Sequence, residues 1–228
     1  MPSVPSIFAA DMTNPPEVEA LYPSRSGAGA LLGRQLYQRT RQPILLLGIT
    51  PTGVEIAANA ADAMQCKFDV IVGAHIRIEN IGIIGAVAED GDAVIDQEFA
   101  PRFSMMESLD EAIDRARRAV KTERLLFRGQ RPMRSVTGMN VVIVDGHLTT
   151  PWKALAAVEF IRQGEPESIL VGAPVSTKPV QDRMSARRVD FVCPSVIMDP
   201  GGHPRPFGDP QDPSAERLRS IVVAREAA

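Results

Sequence analysis

The stretch Val141-Val142-Ile143-Val144-Asp145-Gly146-His147-Leu148-Thr149-Thr150-Pro151-Trp152 decides the fold. Four consecutive apolar residues bounded by turn signals suit a strand buried on both faces, as in a parallel sheet. The loop after Asp145 runs directly into a helix. Thr150 suits its N-cap, Pro151 its first position and Gly164 the residue beyond its end. A strand–loop–helix turn of this kind presents unpaired amides and the positive end of a helix dipole, a ready phosphate site. The hydroxyls of Thr149 and Thr150 add donors, and Asp145 can accept hydrogen bonds from sugar hydroxyls beside the phosphate. The alternative is that Asp145 and the threonines only cap a helix.

The same alternation extends in both directions. Upstream, residues 44–47 (ILLL) form a second wholly apolar run, ending at Thr50-Pro51-Thr52-Gly53 before an alanine-rich helix over 54–64. Residues 68–72 read as another buried strand. Residues 76–96 read as two short strands joined near Asp90-Gly91, a hairpin signal. In the helix over 107–126 the apolar residues Leu109, Ile113, Ala116, Val120 and Phe127 recur on one face. Glu107, Asp110, Glu111 and Asp114 precede the bases Arg115, Arg117, Arg118, Lys121 and Arg124, which complements the helix dipole. Downstream come a strand at 169–171, a helix at 179–188, a strand at 189–193, a Gly/Pro/Asp-rich loop at 199–213 and a helix at 214–228. Alternating strands and helices make an α/β domain with a mainly parallel central sheet flanked by helices. Ligands of such sheets bind beyond the carboxyl ends of the strands. That places a site among residues 50–53, 73–77 and 145–153 and the loop after Cys193.

At 228 residues the chain fits one large domain, here 24–228, preceded by a proline-rich irregular arm over 1–23. With 25 Lys and Arg against 28 Asp and Glu, there is no basic excess to argue for nucleic acid. No polybasic run or 18-residue apolar stretch argues for a membrane. The N-terminus lacks the charged and apolar regions of a signal peptide. Two cysteines, Cys66 and Cys193, imply no disulfide framework. A reducing, cytoplasmic compartment is expected.

In their order these segments resemble the type I phosphoribosyltransferases. Members of that family carry a strand, two adjacent acids and a Gly/Thr-rich loop that cradles the 5-phosphate of phosphoribosyl pyrophosphate. The resemblance is to a bacterial branch in which this motif follows a long charged helix and an Arg-Gly-x-Arg-Pro stretch, here Arg128-Gly129-Gln130-Arg131-Pro132. The segment Gly85-Ala86-Val87-Ala88-Glu89-Asp90-Gly91 matches the middle of such proteins. The correspondence runs from about residue 25 to the C-terminus, and it implies the type I fold with a small hood region. The departures are specific. The first acid is Asp145, but the second position is Gly146, and the next family glycine is His147. Pro151 replaces a glycine and has no amide hydrogen to offer. Lys153 stands for the last Thr or Ser and substitutes a point charge for a donor. The pyrophosphate loop corresponds to Thr50, Pro51, Thr52 and Gly53, without its arginine, and a third basic element corresponds to Ala74 and His75.

The resemblance implies transfer of a 5-phosphoribosyl group to a small, unidentified acceptor, with Mg²⁺ and a homodimeric assembly. It assigns Asp145 to the ribose hydroxyls, directly or as a ligand of Mg²⁺. It assigns Gly146, Leu148, Thr149, Thr150 and Lys153 to the 5-phosphate, and residues 50–53 with His75 to the pyrophosphate. The three histidines, His75, His147 and His203, all fall at the ligand edge of the sheet. Each can contact an anion when protonated or serve as a general base, and His147, next to Asp145, is the best candidate for a catalytic role. Phe207 can stack on the acceptor, or the loop around it is a rigid surface feature. Trp152 either packs or stacks on a substrate. The alternative to an enzyme is a catalytically silent binding or regulatory module, since fold does not imply function.

Overall fold

The computed structural model describes residues 20–97, 106–198, 205–209 and 211–226, with backbone alone at 106–108 and 226. In chain order the first half holds α1 (Arg25–Tyr37), β1 (Ile44–Ile49), α2 (Thr52–Met64), β2 (Lys67–Ile71), β3 (Gly73–Ile78), β4 (Gly82–Ala88) and β5 (Val94–Ile95). Then follow α3 (Met106–Arg128), β6 (Asn140–Val144), β7 (His147–Leu148), α4 (Trp152–Arg162), β8 (Ser168–Gly172), β9 (Val175–Thr177), α5 (Lys178–Ala186), β10 (Asp190–Val192), β11 (Ser195–Ile197) and α6 (Ala215–Glu226). No helix among the described residues is long and apolar enough to cross a membrane.

The apolar runs read from the sequence are the strands of the central sheet. Its order is β10-β8-β6-β1-β2, and every pair is parallel. β1 is buried along its whole length, as a strand covered on both faces must be. Leu46, Val142 and Val144 face α1, α2 and α6, where they meet Leu32, Leu36, Ile56 and Leu218. Leu45, Leu47, Ile143 and Val171 face α4 and α5 across Leu155, Val158 and Met184. α3 buries Ala112 and Ala116 against Ile76, Ile84 and Val87 of an antiparallel sheet, order β3-β4-β5.

Two expectations need correction, and one further feature is unwritten in the sequence. Residues 76–96 hold three strands rather than two. The hairpin from β3 to β4 turns at Glu79-Asn80-Ile81, where Asn80 takes a left-handed φ of 61°, while Asp90-Gly91 lies in the link from β4 to β5. Asn tolerates that conformation through local side-chain bonding, a weaker written signal than Asp-Gly. Thr150 does not cap α4: Pro151 occupies the N-cap position and the helix receives no side-chain cap bond. Finally, β6, β8 and β10 each kink and resume, after Asp145-Gly146, Ala173-Pro174 and Cys193-Pro194, as β7, β9 and β11 of a second parallel sheet. Strands of two or three residues carry no readable periodicity.

The segments that carry the family resemblance meet as a buried electrostatic clamp. Arg128 Nη2 donates to Glu89 Oε2 at 2.5 Å, with both side chains almost wholly buried. Glu89 Oε1 accepts from the Val72 amide, and Arg128 Nη1 donates to the Val70 carbonyl. Beside them Arg131 donates twice to Asp69, at 2.6 and 2.9 Å, and Asp69 also accepts from the Arg134 and Val70 amides. Burial pushes the Asp69 carboxyl up, but these hydrogen bonds and the Arg131 charge outweigh it and hold it below the usual carboxylate range. Arg128→Met should cost about 3–5 kcal/mol by urea denaturation, because Glu89 is left buried and unpaired. Adding Glu89→Gln should recover a large part of that loss, since the uncompensated charge is then gone.

Candidate functional site

The turn from β1 to α2 lies directly on the end of β6. A Cβ at Gly53 would come within 2.2 Å of the Val144 carbonyl oxygen, and one at Gly146 within 2.4 Å of the Thr52 carbonyl oxygen. Backbone touches backbone at both points. Gly146, in place of the family's second acid, is therefore required by the close approach of Thr52. The Thr50–Pro51 peptide is cis.

The same approach turns Asp145 inward. It is buried, and its Oδ1 accepts from the Thr52 hydroxyl (2.5 Å) and the Gly146 amide (2.7 Å). Its Oδ2 faces the Lys153 ammonium at 3.9 Å, and Lys153 Nζ donates to the Thr50 carbonyl at 3.2 Å. Lys153, expected to reach a phosphate, is buried against these two groups. Thr50 is fully buried, and its hydroxyl donates to Glu123 Oε2 at 2.7 Å. Glu123 was not legible as a site residue, because on α3 it reads as one more polar position of an amphipathic helix.

His75 reaches the start of α4 from β3, with its Nε2 3.1 Å from the Thr150 hydroxyl. Burial, then the charges of Lys153 and Arg77, push its imidazole down to about 4 against the opposing pull of Asp145. His75 is therefore neutral near pH 7 and brings no charge to an anion there. Thr149 is exposed beside it, and Leu148 is buried with its carbonyl accepting from Ser176 Oγ. Trp152 packs into the core under the Arg183 guanidinium.

On the α1 side of the same sheet edge lies a cavity of about 460 Å³. Pro51, Thr52, Gly146 and His147 line one part of it, and Arg205 and Phe207 another. Its roof joins two distant segments. The Leu21 and Tyr22 amides donate to the carbonyls of Arg205 and Pro206, and the Gly208 amide donates to the Tyr22 carbonyl. Tyr22 Oη donates to the Pro174 carbonyl. The Arg25 guanidinium lies 5.4 Å from the Phe207 ring centroid and pairs with Asp212, while the Arg25 amide donates to Asp209. Phe207 is thus largely buried and holds the roof together. Residues 1–19 of the expected arm, together with Asp199 and His203, lie outside the described residues.

The structure therefore brings Thr50, Thr52, Gly53, Asp145, Gly146 and Lys153 together, with His75 and Thr150 beside them, and sets His147 and Phe207 apart in the cavity. Among the described residues no group of three or more His, Cys, Asp and Glu side chains converges on a metal position. Burial pushes the thiols of Cys66 and Cys193 up to about 11, so both are poor nucleophiles at neutral pH. Gly146→Ala should destabilise the fold by about 1–3 kcal/mol by overpacking, measured as a shift of the urea midpoint, and Gly146→Asp should cost at least as much. A variant as stable as the parent would show that the turn yields freely.

No protein-family model matches the chain. Two curated Mycobacterium tuberculosis proteins do match: "Putative phosphoribosyl transferase MT0597" of strain CDC 1551 / Oshkosh and "Putative phosphoribosyl transferase Rv0571c" of strain ATCC 25618 / H37Rv. Each is 25% identical over 182 residues, covering 76% of this chain. The chain spans only 40% of the length of these relatives. Among solved structures, TT1426 from Thermus thermophilus superposes with a TM-score of 0.75 and 25% identity, covering 89% of this chain and 98% of its own. A hypothetical protein from Neisseria gonorrhoeae with bound ppGpp shares the fold at a TM-score of 0.51 and 10% identity, covering 88% and 92% of the two chains. The chain is thus similar in sequence to proteins named putative phosphoribosyl transferases, and its mainly parallel sheet flanked by helices has the type I phosphoribosyltransferase fold.

Proposed function

We propose that the protein transfers a 5-phosphoribosyl group from phosphoribosyl pyrophosphate to a small acceptor. The bond from the anomeric carbon to the pyrophosphate oxygen breaks, a bond to the acceptor forms, and the acceptor loses a proton. The observation that carries this reading is the convergence of residues 50–53, 145–146 and 149–153 at one sheet edge, next to a cavity of about 460 Å³. Thr149 and Thr150, with the open start of α4, hold the 5-phosphate. Residues 50–53 lie by the pyrophosphate. Asp145 fixes the β1–α2 turn through Thr52. His147, which lines the cavity, takes the acceptor proton in this reading.

The family implies Mg²⁺, but the residues present build no protein-side site for it. The Asp145 carboxylate is committed to Thr52, Gly146 and Lys153, and position 146 has no room for a second acid. An ion that enters with the donor is held by the donor's own oxygens, as Mg²⁺ commonly is at phosphate sites. We further propose a homodimer working in a reducing cytoplasmic setting, with both cysteines kept as thiols.

The committed carboxylate, the missing second acid and the uncharged His75 also favour a second reading, a silent binding module that keeps the fold and the phosphate cradle. Titration calorimetry with phosphoribosyl pyrophosphate, ribose 5-phosphate and pyrophosphate, with and without Mg²⁺, separates the two when paired with an acceptor screen for pyrophosphate release. Donor binding with turnover supports the transferase. Binding of ribose 5-phosphate without turnover supports the module, and no binding of any of the three removes both. In an active protein, His147→Ala should lower kcat by about 10²-fold or more while donor affinity stays within a few-fold.

A further inference from the structure

Thr150 immediately precedes Pro151, the N-cap residue of α4, and its hydroxyl caps no amide of the helix. Its hydroxyl is held by His75, which arrives from β3, 75 residues earlier in the chain. The start of α4 is therefore left open, with no amide at Pro151 and no side-chain cap. Lys153 cannot serve this end of the helix, because its ammonium is turned to Thr50 and Asp145.

A hydroxyl has one proton, so the direction of the His75–Thr150 bond decides what Thr150 offers to a ligand. If Thr150 donates to His75, only its lone pairs face the phosphate loop, and they repel an anion. If His75 donates, the Thr150 proton is free to point at the anion. Taking the phosphate cradle of the preceding section as given, we propose that His75 is a positioning residue: as the neutral Nε2–H tautomer it donates to Thr150 Oγ1 and thereby aims the Thr150 hydroxyl proton at the 5-phosphate.

The surroundings favour a neutral ring. Lys153 from α4 and Arg77 from β3 itself oppose a charge on His75, and Asp145 beyond β6 only partly offsets them. From α3, Arg115 donates to the backbone carbonyl of Arg77. The ring therefore acts through the orientation of a neutral hydrogen bond, and Thr150 rather than His75 touches the ligand.

Two measurements on the full chain test this. The first is the imidazole nitrogen and carbon chemical shifts of His75 in the free protein between pH 5.5 and 8. The expected result is an unchanging Nε2–H tautomer; a ring that titrates near 6.5 or rests as Nδ1–H overturns the proposal whatever binds. The second is ribose 5-phosphate affinity by calorimetry. His75→Ala and Thr150→Ala should each weaken binding about tenfold, as for a lost hydrogen bond to a charged group. The double variant should be no worse than Thr150→Ala alone, and His75→Gln, whose amide can still donate, should restore most of the affinity. Parent-like affinity in His75→Ala, or losses that add in the double variant, would sink the positioning role while leaving the phosphate cradle intact. Failure of the parent itself to bind ribose 5-phosphate would overturn the cradle, and this role with it.

Discussion

The contact between the β1–α2 turn and the end of β6 sets the character of this protein. Two parallel neighbours, β1 and β6, end side by side, and the turn that leaves β1 folds flat onto the chain that leaves β6. With a 2.2–2.4 Å clearance for any added Cβ, only glycine fits at 53 and 146. The acid lost at 146 is thus space yielded to the backbone of Thr52. Once the turn is seated, the hydroxyl of Thr52 and the amide of Gly146 saturate one oxygen of Asp145, and Lys153 faces the other. A carboxylate buried in this way needs those partners, because an unpaired buried charge is strongly unfavourable. The arrangement replaces an open pair of acids by a closed, neutral network.

Charge is handled similarly in the body of the domain. Arg128 and Arg131 bracket a turn at Gly129, whose φ is 61°, and each meets a buried acid, Glu89 just past β4 and Asp69 in the middle of β2. The Arg-Gly-x-Arg-Pro stretch therefore fastens α3 to β2 and to the end of β4, and neither arginine lines the cavity. The motifs that carry the family resemblance are here structural, while the positions that depart from it cluster at the carboxyl edge of the central sheet.

The ligand edge itself has two sides. Toward α4 lie the threonines, His75 and the open helix start, a polar surface suited to a phosphate. Toward α1 lies a cavity roofed by two segments, residues 21–23 and 205–209, which meet through backbone hydrogen bonds and the stack of Arg25 on Phe207. Tyr22 links that roof to the kink at Pro174. Thr52 and Gly146, which line the cavity, lie where the two sides meet.

Local signals in the sequence determined the parallel α/β fold, the positions of the central strands and the edge at which the site would lie. Apolar runs, turn residues and helix periodicity are short-range features, and burial on both faces leaves them plainly written in ILLL and VVIV. They also marked Asp145, Gly146 and the threonines as a candidate site, because a strand, an acid and a helix start are contiguous in the chain. The pairing of Arg128 with Glu89, of Thr50 with Glu123 and of His75 with Thr150 joins residues 39, 73 and 75 positions apart. The choice of partner for each such group, the inward turn of Asp145 and Lys153, and the second sheet built from strands of two or three residues were decided only in three dimensions. Hydrogen-bond partners and the room for a Cβ depend on where distant backbone comes to rest, and no local pattern encodes that.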